Sequence, residues 1–135
     1  MKYAKIIITV SILWFVLIAG CATQRAEAPP PPPTPAPSAT YNNGVLQTVY
    51  PVPFDQVWDS TLTTLNQLGM PVVKQDKVVN ASIDATGKDG SPVRIQMNPK
   101  GLGATVVSIQ VGSGNEQASR AINSALANNL GVKIY

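Results

Sequence analysis

Past Gly44 the chain carries two rhythms of apolar and polar residues. Val45-Leu46-Gln47-Thr48-Val49-Tyr50 is rich in β-branched side chains and closes at Pro51, which predicts a strand. From Pro53 the period lengthens. Phe54, Val57, Trp58, Leu62, Leu65 and Leu68 lie on one stripe of an amphipathic helix, with Pro53 in its first turn and Gly69 as its stop. Pro71 to Asp76 and Val78 to Ala85 then read as strands, followed by a turn at Lys88-Asp89-Gly90. Val93, Ile95 and Met97 alternate with Arg94, Gln96 and Asn98, the pattern of a half-buried strand. Pro99 to Gly103 is a hairpin connection, and Val107, Ile109 and Val111 alternate with Ser108 and Gln110 in a last strand. Ser113-Gly114-Asn115-Glu116 starts a second helix, with either Ser113 or Asn115 as cap. Its buried stripe is predicted to be Ala118, Ala121, Ile122, Ala125, Leu126 and Leu130, its stop Gly131. The order βαββββα predicts a two-layer α+β domain: an antiparallel sheet of about five strands with two helices on one face. At about 90 residues such a domain buries a modest core without metal or disulfide.

The N-terminal part has a different character. Met1-Lys2-Tyr3-Ala4-Lys5 is short and basic, and Ile6 to Ala19 is an uncharged apolar run of fourteen residues. As a helix that run spans about 21 Å, short of the roughly 30 Å hydrocarbon core of a bilayer, so it reads as an export signal. It ends in Ile18-Ala19-Gly20-Cys21, which resembles the lipobox of bacterial lipoproteins. The resemblance implies cleavage between Gly20 and Cys21 and lipidation of Cys21, with acyl chains enough for stable anchoring. An ordinary signal peptide or a marginal membrane helix with an incidental cysteine is the other reading of the same residues. Ala22 follows the cysteine where an Asp would signal inner-membrane retention in similar lipoproteins. That implies a periplasm-facing anchor in the outer membrane, with the inner membrane as the alternative. Ala26 to Thr40 reads AEAPPPPPTPAPSAT, which favours extended polyproline II over helix or sheet. Pro29 to Ser38 would then reach about 30 Å, and Ala22 to Asn43 about 70 Å. A stiff spacer and a ligand for a proline-reading groove both fit. The expected organisation is residues 1–20 as signal, 21–43 as lipidated cysteine and tether, and 44–135 as globular domain.

Composition narrows the chemistry. The net charge of +3 comes from ten basic and seven acidic residues, and removing Lys2 and Lys5 leaves about +1. The three arginines, Arg25, Arg94 and Arg120, are scattered, so no nucleic-acid partner is expected. There is no histidine and one cysteine, so neither a metal site, a histidine-based triad nor a disulfide framework is expected, and no cofactor. A Ser-Lys dyad could be drawn only from Ser82, Ser91, Ser108, Lys74, Lys77 and Lys88, whose spacing favours none. Asp55 and Asp59 lie one turn apart near a helix start, where the helix dipole favours negative charge. Gly112 and Gly114 could cradle an anion or simply turn a strand into a helix. Trp58 reads as core, or as one wall of an apolar ligand groove.

Pro53-Phe54-Asp55-Gln56-Val57-Trp58, Leu68-Gly69 and the strand from Val107 to Gly112 leading into Ser119 and Ile122 together resemble a family of small bacterial lipoproteins of unknown function. The domain is similar to the helix-grip modules of BamC, an accessory lipoprotein of outer-membrane protein assembly. The segment Gly112-Ser113-Gly114 departs from the family by one residue in its glycine spacing. The expected lipid anchor, the long spacer and the lack of catalytic chemistry point to a noncatalytic envelope lipoprotein that binds or stabilises a protein partner, as an assembly accessory or scaffold. A small-ligand or lipid-binding module, using space between helix and sheet, is the alternative.

Overall fold

The structure is a computed structural model and describes residues 37–78 and 80–134. Six antiparallel strands form one sheet: β1 (Ala39–Asn42), β2 (Val45–Tyr50), β3 (Val72–Asp76), β4 (Ala81–Thr86), β5 (Pro92–Lys100) and β6 (Ala104–Val111), in spatial order β1-β2-β6-β5-β4-β3. Helix α1 (Phe54–Gln67) links β2 to β3 at the far edge, and α2 (Glu116–Leu130) follows β6. Both helices lie on one face, α2 against β2 and β6, and α1 against β5, β6 and β3. The α+β, two-layer architecture is thus as the periodicity predicts. The sheet has one strand more.

That extra strand, β1, lies in residues the sequence pattern gives to the tether. Ala39-Thr40-Tyr41-Asn42 pairs with Val45 to Thr48, so the ordered sheet begins at Ala39, not Gly44. The connection is the two residues Asn43-Gly44, with φ of 49° and 83°. Positive φ at both positions is what a tight hairpin with the natural strand twist requires, and Asn-Gly meets it at low cost. Tyr41 then donates its hydroxyl to the Gly114 carbonyl at 2.7 Å, tying the hairpin to the entry of α2.

Alternation decides which side of each strand is buried. Leu46, Tyr50, Ile83, Ile95, Met97 and Ile109 point at the helices and are fully buried. They meet Val57 and Leu65 from α1 and Ile122 and Leu126 from α2. Each such apolar side chain removed from water stabilises the fold by about 1.5–3 kcal/mol. The helices also bury polar residues that an apolar stripe does not reveal. Thr61 and Thr64 are buried on α1, and their hydroxyls donate to the Val57 and Ser60 carbonyls at 2.7 Å each. This satisfies the hydroxyls within the helix itself. On α2 the buried set is Ser119, Ile122, Asn123, Leu126 and Ala127, while Ala121 is exposed. The rotation away from the alanine stripe follows from Asn123, whose Oδ1 accepts the Tyr50 hydroxyl at 2.7 Å in the core. Asn129 Nδ2 donates to Thr64 Oγ1 at 2.7 Å and to Gln67 Oε1 at 3.0 Å, clamping the two helices.

Candidate functional site

The main candidate surface runs along the flank of α1 beside the edge strand β3. Every residue of β3 is exposed, because the strand has a partner on one side only and α1 leaves it largely uncovered. Its sequence explains this. Pro71 precedes it, Lys74 and Asp76 need water, and the register shifts between Val72 and Lys74 so that Val73 bulges out, 72% exposed. At the C-terminal end of α1, Leu62, Asn66, Gly69, Met70, Pro71 and Val72 line an open groove of about 470 Å³. At its N-terminal end the Phe54 and Trp58 rings sit 6.0 Å apart, tilted by 35°. Lys77, just past β3, places its ammonium 5.9 Å from one ring centre and 5.7 Å from the other. The same ammonium pairs with Asp55 Oδ1 at 2.9 Å, a hydrogen bond that raises the Lys77 pKa above its ordinary value. The flank therefore offers an apolar groove at one end and a cation held over aromatic rings at the other.

A second region lies at the turn from β6 into α2. Gly112 and Gly114 have φ of 55° and 121°, and a Cβ on Gly114 would stand 2.8 Å from the Gly44 Cα. The glycines are thus required by the turn and by close approach to the β1–β2 hairpin. Asn115 is the cap of α2, its Oδ1 accepting from the Ala118 amide at 3.0 Å, while Ser113 is exposed outside the helix. Asp89, Ser91 and Asn115 share a small cavity of about 250 Å³ there. The Ser91 hydroxyl, and then the Ser91 amide at 3.1 Å, donate to Asp89, which holds the carboxyl below its usual range. A carboxylate at that position repels an anion, and the Asn115 side chain already occupies the helix start. Anion binding is not what this turn is shaped for.

The residues singled out by sequence fall as follows. Trp58 is 5% exposed and sits beneath Lys77 as part of the core, while the groove at the other end of α1 is walled by other side chains. Ser91 is bonded to Asp89 and Lys77 to Asp55, and Ser82 and Ser108 flank Gln96 in a row across the sheet. Asp55 faces Lys77 and so is not paired with Asp59. Among the described residues no three of His, Cys, Asp and Glu gather as metal ligands, and no helix is long and apolar enough to cross a membrane. Gly20, Cys21, the rest of the signal and the tether up to residue 36 lie outside the described residues. The exposed edge of β3 is the feature that sequence reasoning did not single out. Its signal was the run Val72-Val73-Lys74-Gln75-Asp76, whose polar half breaks the alternation of a covered strand.

Fold and surfaces together define the class: a two-layer antiparallel α+β domain whose edge strand β3 is wholly exposed beside a shallow groove. The chain belongs to the family described as Protein of unknown function (DUF3568), whose profile matches residues 3–129. No curated protein matches the sequence.

Proposed function

We propose that this chain is a lipid-anchored envelope lipoprotein whose domain binds a protein partner, without catalysis of its own. The anchor rests on the basic start, the short apolar run and the small residues before the sole cysteine, Cys21. The outer membrane is the proposed location, facing the periplasm, with residues 22–38 as the spacer that holds the domain off the lipid surface. The observation that carries partner binding is the free edge of β3, wholly exposed and bordered by the groove at Leu62, Met70 and Val72. An unpaired strand edge offers main-chain hydrogen bonds to an added strand, and an adjoining groove offers side-chain selectivity. The proposed likeness to the helix-grip modules of BamC points the same way, to an assembly accessory or scaffold. Gentle crosslinking in intact envelopes, with a photoreactive residue at Gln75 and at Gln47 on the open sheet face, tests this reading. A recurrent adduct at Gln75 that is absent at Gln47 is expected, and no adduct at either position would overturn it.

One observation favours a second reading, a small apolar ligand between helix and sheet. The groove's volume of about 470 Å³ is within the range of small-molecule sites. Native mass spectrometry of the purified chain would then show a co-purifying apolar molecule, lost in Met70→Asp. A bare mass under conditions that preserve the fold would remove this reading.

A further inference from the structure

The edge of β3 has an internal order of its own. The Thr86 amide donates to the Pro71 carbonyl at 3.0 Å, so this pair turns its main-chain groups toward each other. Main-chain direction alternates along antiparallel strands. Past the bulge, Lys74 and Asp76 therefore bond to Asp84 and Ser82, and Gln75 between them turns its N–H and C=O away from the sheet. Lys74 and Asp76, two residues apart, stand on the same face. A second β3 laid antiparallel about a two-fold axis at Gln75 would set Gln75 against Gln75 and Lys74 against Asp76 twice, once on each side of the axis. It would also bring Val72 of one copy toward Val78 of the other. These two are 38% and 85% exposed, and Val72 is the rim of the groove.

We propose that the chain self-associates through β3, two copies joining their sheets edge to edge in this register. The proposal deepens the partner-binding reading and rests on it in taking the β3 edge as the contact surface; it names the partner as a second copy. Opposite charges meet in this register, and the central outward amide and carbonyl bond to their own symmetry mates. The bulge at Val73 and the turn closed by Asp76 Oδ1 accepting from the Val78 amide at 3.0 Å limit the pairing to a few residues. Such a contact lies below the roughly 1,200–2,000 Å² of a stable interface. The association is therefore weak in dilute solution and strengthened wherever copies are confined together.

Disulfide trapping in the full-length chain, in membranes under mild oxidation, tests the register. In a hydrogen-bonded antiparallel pair the two Cα atoms are about 5.5 Å apart, within disulfide reach. Gln75→Cys should yield a covalent homodimer several-fold above both the unsubstituted chain, which reports on Cys21 alone, and Thr40→Cys on the opposite edge. Lys74→Asp added to Gln75→Cys should lower the yield, and Asp76→Lys added to both should restore it. All these positions on β3 are exposed, so thermal unfolding should show the fold intact in each variant. A Gln75→Cys yield equal to the controls, no rescue by the charge swap, or a crosslinked product carrying a different protein would overturn self-association. The last outcome would leave the wider partner-binding reading standing.

Discussion

Tyr50 is the bulkiest of the side chains fully buried among the described residues, and its hydroxyl has a single kind of partner, Asn123. Burial raises the phenol above its ordinary value of 10.0. The unfolded chain therefore loses this proton at lower pH than the folded one. The Tyr50 contribution to stability is constant below about pH 10 and falls as pH rises beyond it. In urea titrations between pH 8 and 11, Tyr50→Phe should flatten that decline, at a cost of about 1 kcal/mol near neutrality from the lost hydrogen bond. An unchanged alkaline slope would mean that Tyr50 is not its source. Two neighbouring hydroxyls predict the opposite sign. Thr48 Oγ1 and Ser119 Oγ are buried with no hydrogen-bond partner. Exchanging such a hydroxyl for an apolar group of similar size removes a desolvation cost, so Thr48→Val and Ser119→Ala should each raise stability by about 1 kcal/mol. A loss in either variant would show that the hydroxyl is bonded after all. Thr48 on β2 and Asn123 on α2 were not legible as core in the sequence, because a polar side chain reads as a solvent position until its surroundings across the core are known.

The elements themselves were largely legible. The stripe from Phe54 to Leu65 and the alternation from Val93 to Met97 and from Val107 to Val111 each exceed the length at which period alone identifies helix or strand. β1 was not, although its Asn43-Gly44 turn is a strong hairpin signal, because four residues beside a proline tract carry too little pattern to outweigh it. In β3 the polar run Lys74-Gln75-Asp76 signals exposure, but its place at the sheet edge follows only from strand order, a property of the whole sheet. Besides the pairing of β2 with β6, the β1–β2 turn is tied to the entry of α2 by the Tyr41 hydroxyl on Gly114 and by the close approach of Gly44 to Gly114. Gly114→Ala should cost roughly 1–3 kcal/mol, combining a backbone clash with a φ of 121° that favours glycine. A chain beginning at Gly44 should melt cooperatively but at a lower temperature than one beginning at Pro37, because it lacks β1. Equal melting temperatures would make β1 an ornament of the sheet rather than part of it.

At the scale of the molecule, the sequence joins three parts of unlike physics: a basic and apolar start, a proline-rich run, and a sheet layered with two helices. In the proposed reading the domain presents a surface and the first two parts set where it is held. This division makes Cys21 and the domain separable. Cys21→Ser should leave thermal unfolding of the domain unchanged, since its core lies between Leu46 and Ala127. The same substitution should end membrane retention through lipid and leave an uncut precursor. The functional reading stands or falls on that cysteine, and metabolic labelling with radioactive palmitate is the most direct measurement. Strong incorporation in the unsubstituted chain and none in Cys21→Ser is the predicted result; equal labelling of the two, or none in either, would contradict the lipid anchor.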